Sequence, residues 1–121
     1  MHELSIAMSL VEMACEKAAC LGDVRVEALY LRLGPLSGVV KEALLFSFDL
    51  AARGTAVEDA RLEIEDVPLT VFCPECKEER ALSGPLRLRC PVCGAETPRI
   101  VQGRELELRA LEVMENAAPH R

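Results

Sequence analysis

The apolar positions outline the elements. From Leu4 to about Leu21, the residues Leu4, Met8, Val11, Cys15 and Ala18 recur at three- and four-residue steps, with Glu12, Glu16 and Lys17 on other faces. That spacing is one side of an α-helix, and Gly22 is its expected stop. Val24, Val26, Ala28 and Tyr30 then alternate with Arg25, Glu27, Leu29 and Leu31 before Gly34-Pro35, which reads as a strand ending in a turn. Both sets contain apolar residues, so this strand is expected to be covered on both sides at one end. A second helix opens at Ser37 or Gly38, carries Val40, Leu44, Ser47/Phe48 and Ala51 on one stripe widened by Leu45 and Phe46, and stops at Gly54. Arg61 to Asp66 sets Leu62 and Ile64 against Glu63 and Glu65, a half-buried strand. Glu105 to Val113 repeats the pattern with Leu106, Leu108 and, after a change of phase, Leu111. The order is helix, strand, helix, strand, insert, strand.

The insert, from about Phe72 to Gln102, is rich in Pro, Gly, Cys and charge, and its large aliphatic residues after Phe72 are few, chiefly Leu82, Leu86 and Leu88. It cannot fold on burial alone. Its cysteines supply the alternative. Cys73-Pro74-Glu75-Cys76 and Cys90-Pro91-Val92-Cys93 each place two thiolates on one tight turn, and two such turns complete a tetrahedron around one ion. Zinc prefers this closed four-sulfur set, with Zn–S near ~2.3 Å, and leaves no open position for water, so the ion is structural. The competing readings are redox-active pairs and disulfides. The expected fold class is therefore α+β: two helices packed on a three-stranded mixed sheet, with an inserted zinc-ribbon subdomain. Residues 1–71 and 103–121 are expected to form one discontinuous domain and residues 72–102 the ribbon, with Asn116 to Arg121 a frayed tail.

Composition narrows the function. A chain of 121 residues holds one small core, and with aromatics at 3% and no Trp that core rests on aliphatic side chains. A net charge of −6 opposes attraction to phosphate backbones. Between Cys73 and Arg99, five basic residues (Lys77, Arg80, Arg87, Arg89, Arg99) meet four acidic ones (Glu75, Glu78, Glu79, Glu96) with no aromatic for base stacking, so nucleic acid is not expected there either. The start lacks a basic head and apolar run, and no window approaches a membrane span, which gives the expectation of a soluble, cytoplasmic protein. No nucleophilic triad or phosphate loop occurs, and with His2 and His120 as the only histidines acid–base chemistry has few players, so no enzyme is expected.

The first three residues offer a second metal site. A divalent ion can bind the Met1 amine, the backbone nitrogen of His2 and its imidazole in two fused chelate rings, with a fourth nitrogen or oxygen from Glu3. Such a planar, nitrogen-rich set suits Ni(II) or Cu(II). His2 alone could equally be an exposed side chain without a role.

The opening Met1-His2-Glu3-Leu4-Ser5, the block Gly34-Pro35-Leu36-Ser37-Gly38-Val39, Glu42-Ala43-Leu44 with Phe46 and Phe48, the paired cysteine knuckles and the closing Gly103-Arg104-Glu105-Leu106 together resemble the HypA/HybF family of nickel metallochaperones for [NiFe] hydrogenase maturation. The resemblance runs over nearly the whole chain. It implies Ni(2+) as cargo held by Met1, His2 and Glu3, and Zn(2+) held by Cys73, Cys76, Cys90 and Cys93. It also implies a HypB-type nickel-binding GTPase and the hydrogenase large subunit precursor as partners, and is compatible with a homodimer. The family's additional histidines beside the zinc cysteines are missing here, so zinc–nickel coupling through histidine is not expected.

Other residues have plainer readings. Cys15 and Cys20 read as buried small hydrophobes on the first helix, and Met8 as a core residue. Met13 reads as packing and His120 as a solvated tail residue. Glu63, Glu65 and Asp66 read as the solvated face of a strand, with docking to a basic partner left open. The rival to the chaperone is a zinc-ribbon adaptor whose Met-His-Glu start is incidental.

Overall fold

The computed structural model describes residues 2–83 and 87–116. The chain runs α1 (Glu3–Leu21), β1 (Val24–Leu33), a short 3-10 turn (Pro35–Ser37), α2 (Lys41–Ala52), β2 (Arg61–Asp66), β3 (Leu69–Cys73), β4 (Glu78–Leu82), β5 (Arg99–Gln102) and β6 (Leu106–Glu115). Two helices accompany a mixed three-stranded sheet of order β2-β1-β6, and a second three-stranded sheet of order β4-β3-β5 carries the cysteine region. The fold class is as the sequence predicts. Residues Met1–Leu31, Val39–Ile64 and Leu108–Arg121 make one compact unit; Arg32–Gly38 and Glu65–Glu107 make the other.

In the first unit α1 packs on α2. Of the expected α1 stripe, Val11 and Ala18 are buried, and the rest of the buried side is Ala7, Leu10 and Ala14. Leu4 is 47% and Met8 58% exposed, which overturns the reading of Met8 as core. Alanines let two helices approach closely, and that approach pushes the longer side chains to the flanks. Cys20 is exposed and Cys15 half-buried, so neither is the buried hydrophobe expected. On α2, Leu44, Ser47, Phe48 and Ala52 are buried; Val40, expected on that stripe, is its exposed N-cap, and the exposed Leu45 and Phe46 do not widen the stripe.

The helix begins at Lys41, later than Ser37 or Gly38, because the chain first spends Pro35–Ser37 in a 3-10 turn closed by Gly38 at φ 80°. β1 resolves its mixed pattern by a change of phase: Val26 and Ala28 are buried on one alternation, Leu29, Leu31 and Leu33 on the other. β6 changes phase as well, with Leu106, Leu108, Leu111 and Val113 half-buried. Polar partners also cross the sheet, the Tyr30 hydroxyl donating to Glu112 at 2.7 Å and Arg61 Nη2 to the same carboxylate at 3.5 Å. Exposed pairs of this kind contribute little stability. Asn116 is not frayed, since its Nδ2 donates to Asp23 Oδ1 at 2.8 Å.

The second unit is built on β3, which pairs antiparallel with β4 and with β5. Val67, Leu69, Val71 and Thr97 are buried there. The sequence does not reveal β3 because Leu69, Thr70 and Val71 are all buried, leaving no alternation to read. The Gly34 and Gly103 blocks meet in this unit: Gly34 N–H donates to Glu105 O at 2.8 Å and Leu36 N–H to Gly103 O at 2.7 Å. A Cβ on Gly34 would run into the Gly103 carbonyl, which accounts for glycine at that position.

Candidate metal centres

Each knuckle is a tight turn with the same closure. Lys77 N–H donates to Cys73 O at 2.7 Å and Gly94 N–H to Cys90 O at 2.8 Å. Both closing residues are left-handed, Lys77 at φ 57° and Gly94 at φ 80°. The turn directs backbone N–H groups at sulfur: Cys76 N–H lies 3.3 Å from Cys73 Sγ, and Val92 N–H 3.4 Å from Cys90 Sγ. β3 ends at Cys73, the buried end of a strand, and the Arg89–Glu96 bridge brackets the second knuckle.

The four sulfurs lie within 4.8 Å of one another. Cys73 Sγ is 3.5 Å from Cys93 Sγ, and Cys76 Sγ is 3.9 Å from Cys90 Sγ. Neither separation is a bond, so these pairs are not disulfides. A zinc tetrathiolate with Zn–S near ~2.3 Å has edges of about 3.8 Å, which these separations bracket. Ionisation also calls for a cation. Burial raises Cys90, but the Cys93 and Val92 amides and the Arg80 guanidinium more than offset it and bring its thiol down to about 6. The Ala95 amide favours the Cys93 thiolate, yet hydrogen bonding with Cys73, burial and the neighbouring sulfurs push it up to about 12. Four crowded thiols cannot all ionise without a positive charge among them, and a zinc ion would supply it. The residues present therefore fit zinc.

At the other centre, His2 is exposed and caps α1, its carbonyl accepting Ile6 N–H at 3.2 Å. First-turn N–H groups have no intrahelical carbonyl to bond, so a metal that displaces an amide proton there breaks no helical hydrogen bond. Glu3 is already engaged: Val40 N–H donates to its Oε2 at 3.0 Å. Val40 is the N-cap of α2 and has no side-chain cap of its own. Glu3 thus does from α1 what a capping-box glutamate does from within a helix. The Val40 N–H, followed by its own N–H, holds the Glu3 carboxyl below the usual carboxylate range. Sequence reasoning missed this cap because nothing local links the two residues. Met1 and His120 lie outside the described residues.

The family model for "Hydrogenase/urease nickel incorporation, metallochaperone, hypA" matches residues 1–113. The chain belongs to the HypA family. A hydrogenase maturation factor HypA of Roseiflexus sp. (strain RS-1) is 60% identical over 112 residues, covering 93% of this chain and 91% of that one. Its counterpart in Chloroflexus aggregans is 54% identical, over 93% of this chain and 98% of that one. Among solved structures, that of the Ni metallochaperone HypA from Helicobacter pylori has a TM-score of 0.64 at 26% identity, over 96% of this chain and 100% of that one. A second HypA solution structure has a TM-score of 0.67, also at 26% identity. The HypA family is thus a family of nickel metallochaperones. No helix among the described residues is long and apolar enough to cross a membrane.

Proposed function

We propose that this chain binds Ni(II) at its N-terminus and delivers it during maturation of [NiFe] hydrogenase, while a structural zinc on Cys73, Cys76, Cys90 and Cys93 stabilises the ribbon. The observation that carries the nickel site is the exposed His2 at the N-cap of α1, beside amides that owe nothing to the helix. The Met1 amine, the His2 backbone nitrogen and the His2 imidazole form the chelate. Because the Glu3 carboxylate is held by Val40, Glu3 contributes through its backbone nitrogen and by fixing the start of α2. Planar nitrogen ligation suits Ni(II), which tolerates amide deprotonation better than zinc or magnesium.

On this reading residues 1–71 with 103–121 handle nickel and residues 72–102 hold zinc. The chain acts in the cytoplasm, catalyses no reaction itself, docks a HypB-type GTPase through its helices, and passes nickel by ligand exchange to the hydrogenase large subunit precursor. The test is a nickel titration of zinc-loaded, untagged protein, followed by its d–d absorption, beside His2→Ala. One equivalent of planar nickel that vanishes in the variant supports the terminal site. Equal binding by the variant places nickel elsewhere, and no binding by either favours an adaptor. Affinity rises with pH, since binding releases protons from imidazole and amide; a pH-independent affinity argues against this ligand set.

A further inference from the structure

Arg80 stands opposite Val71 in the β3–β4 pairing, and Glu78 opposite Cys73. Alternate residues share a face, so Arg80 and Glu78 lie on the face that carries Val71 and the Cys73 sulfur. From the solvent side, Glu78 Oε1 accepts a hydrogen bond from Arg80 Nη1 at 3.3 Å. The Arg80 side chain is nonetheless only 21% exposed, and its Nε is buried without a hydrogen-bonding partner. The Cys76 and Cys90 sulfurs, one from each knuckle, are the main groups that favour its charged form and hold it above the usual arginine range. Burying a guanidinium nitrogen without an acceptor costs free energy, so a compensating charge belongs beside it. Four thiolates on a divalent ion leave a dianion, and that dianion is the compensation.

Resting on the zinc reading of the quartet, we infer that Arg80 is a positioning residue of the metal centre, bridging the two knuckles through Cys76 and Cys90 and screening the tetrathiolate from metal exchange and electrophiles. Its N–H groups and charge withdraw electron density from the two sulfurs, which makes them poorer nucleophiles and stabilises their deprotonated, metal-bound form. The planar fork of arginine can face two sulfurs at once; the point charge of lysine cannot do so equally well.

The experiment compares zinc-loaded wild type, Arg80→Gln and Arg80→Lys in the full chain by three readouts. These are zinc transfer to a chromophoric chelator, alkylation of the metal-bound thiolates by iodoacetamide, and the sulfur-to-metal charge-transfer band after cobalt(II) substitution. The expected result is zinc held roughly tenfold to a hundredfold more weakly in Arg80→Gln, with faster alkylation and a band moved to lower energy. Arg80→Lys should fall between the two. An unshifted band and an unchanged alkylation rate overturn the inference even where zinc leaves faster, because lost packing alone would then suffice. Should Arg80→Gln not fold, an unshifted band in Arg80→Lys overturns it equally. A wild-type chain that holds no zinc overturns the zinc reading together with this inference; a zinc-holding wild type matched by Arg80→Gln overturns this inference alone.

Discussion

In the helical unit the largest fully buried side chains are Phe48, Leu29, Leu31, Leu44 and Val57, whereas in the cysteine unit they are Leu69, Val71, Thr97 and Cys73 itself. Each large aliphatic or aromatic side chain buried in the first contributes roughly 1.5–3 kcal/mol, so that unit can be held by burial. The second has four such residues, Leu33, Val67, Leu69 and Val71, for a sheet and two cysteine knuckles, and its interior is partly sulfur. If the quartet holds zinc, ligation does there what packing does in the first unit. On the zinc reading, the chain divides its stability between two sources, burial in the first unit and ligation in the second.

The largest effect should come from removing the metal. A zinc site of this type is worth on the order of 10–16 kcal/mol of folding free energy at neutral pH. Chelation, or Cys90→Ser, should therefore collapse the NMR resonances of β3, β4 and β5 while the amides of α1 and α2 keep their exchange protection. If the helices lose protection in step with the ribbon, the division between the two sources fails. The converse change is smaller: Phe48→Ala empties a fully buried site and should cost about 3–5 kcal/mol. It should lower the thermal midpoint of the helices and leave zinc stoichiometry at its wild-type value. Loss of zinc in that variant would show that the burial-held unit supports the metal-held one.

The same contrast explains what could be read in the sequence. The helices and the three strands of the first sheet announce themselves by period, and even the phase change of β6 between Leu108 and Leu111 is visible in advance. The cysteine quartet is legible because two thiolates on one tight turn are a local matter. What period cannot give is the direction of approach of a partner. Met8 looks like core until the side of α1 that carries Ala7, Ala14 and Ala18 turns out to be the buried one, and Phe46 until Leu44, Ser47 and Phe48 turn out to be the buried side of α2. β3 escapes notice because it is buried on both alternations. Two site features depend on groups distant in sequence: the Glu3 cap on α2, and the charge of the Arg80 guanidinium, favoured by sulfurs from both knuckles. Arg80 counts only as a charge until β4 is paired with β3.

The smallest expected effect tests whether the two knuckles are equivalent turns. Lys77 and Gly94 close them with the same hydrogen bond and the same hand of backbone, but only one of them is a glycine. A side chain in the left-handed region costs roughly 1–3 kcal/mol, while a glycine loses about 0.5–1 kcal/mol more entropy on folding. Lys77→Gly should therefore gain about 1 kcal/mol in the zinc-loaded protein, seen as a higher denaturant midpoint for the ribbon. Gly94→Ala should lose a similar amount, with open space around its added Cβ leaving backbone conformation as the cause. Opposite signs at the two positions would establish the pseudo-symmetry of the knuckles. If Lys77→Gly destabilises instead, the lysine stem contributes packing that outweighs its backbone strain, and the two turns, though alike in backbone, are held differently.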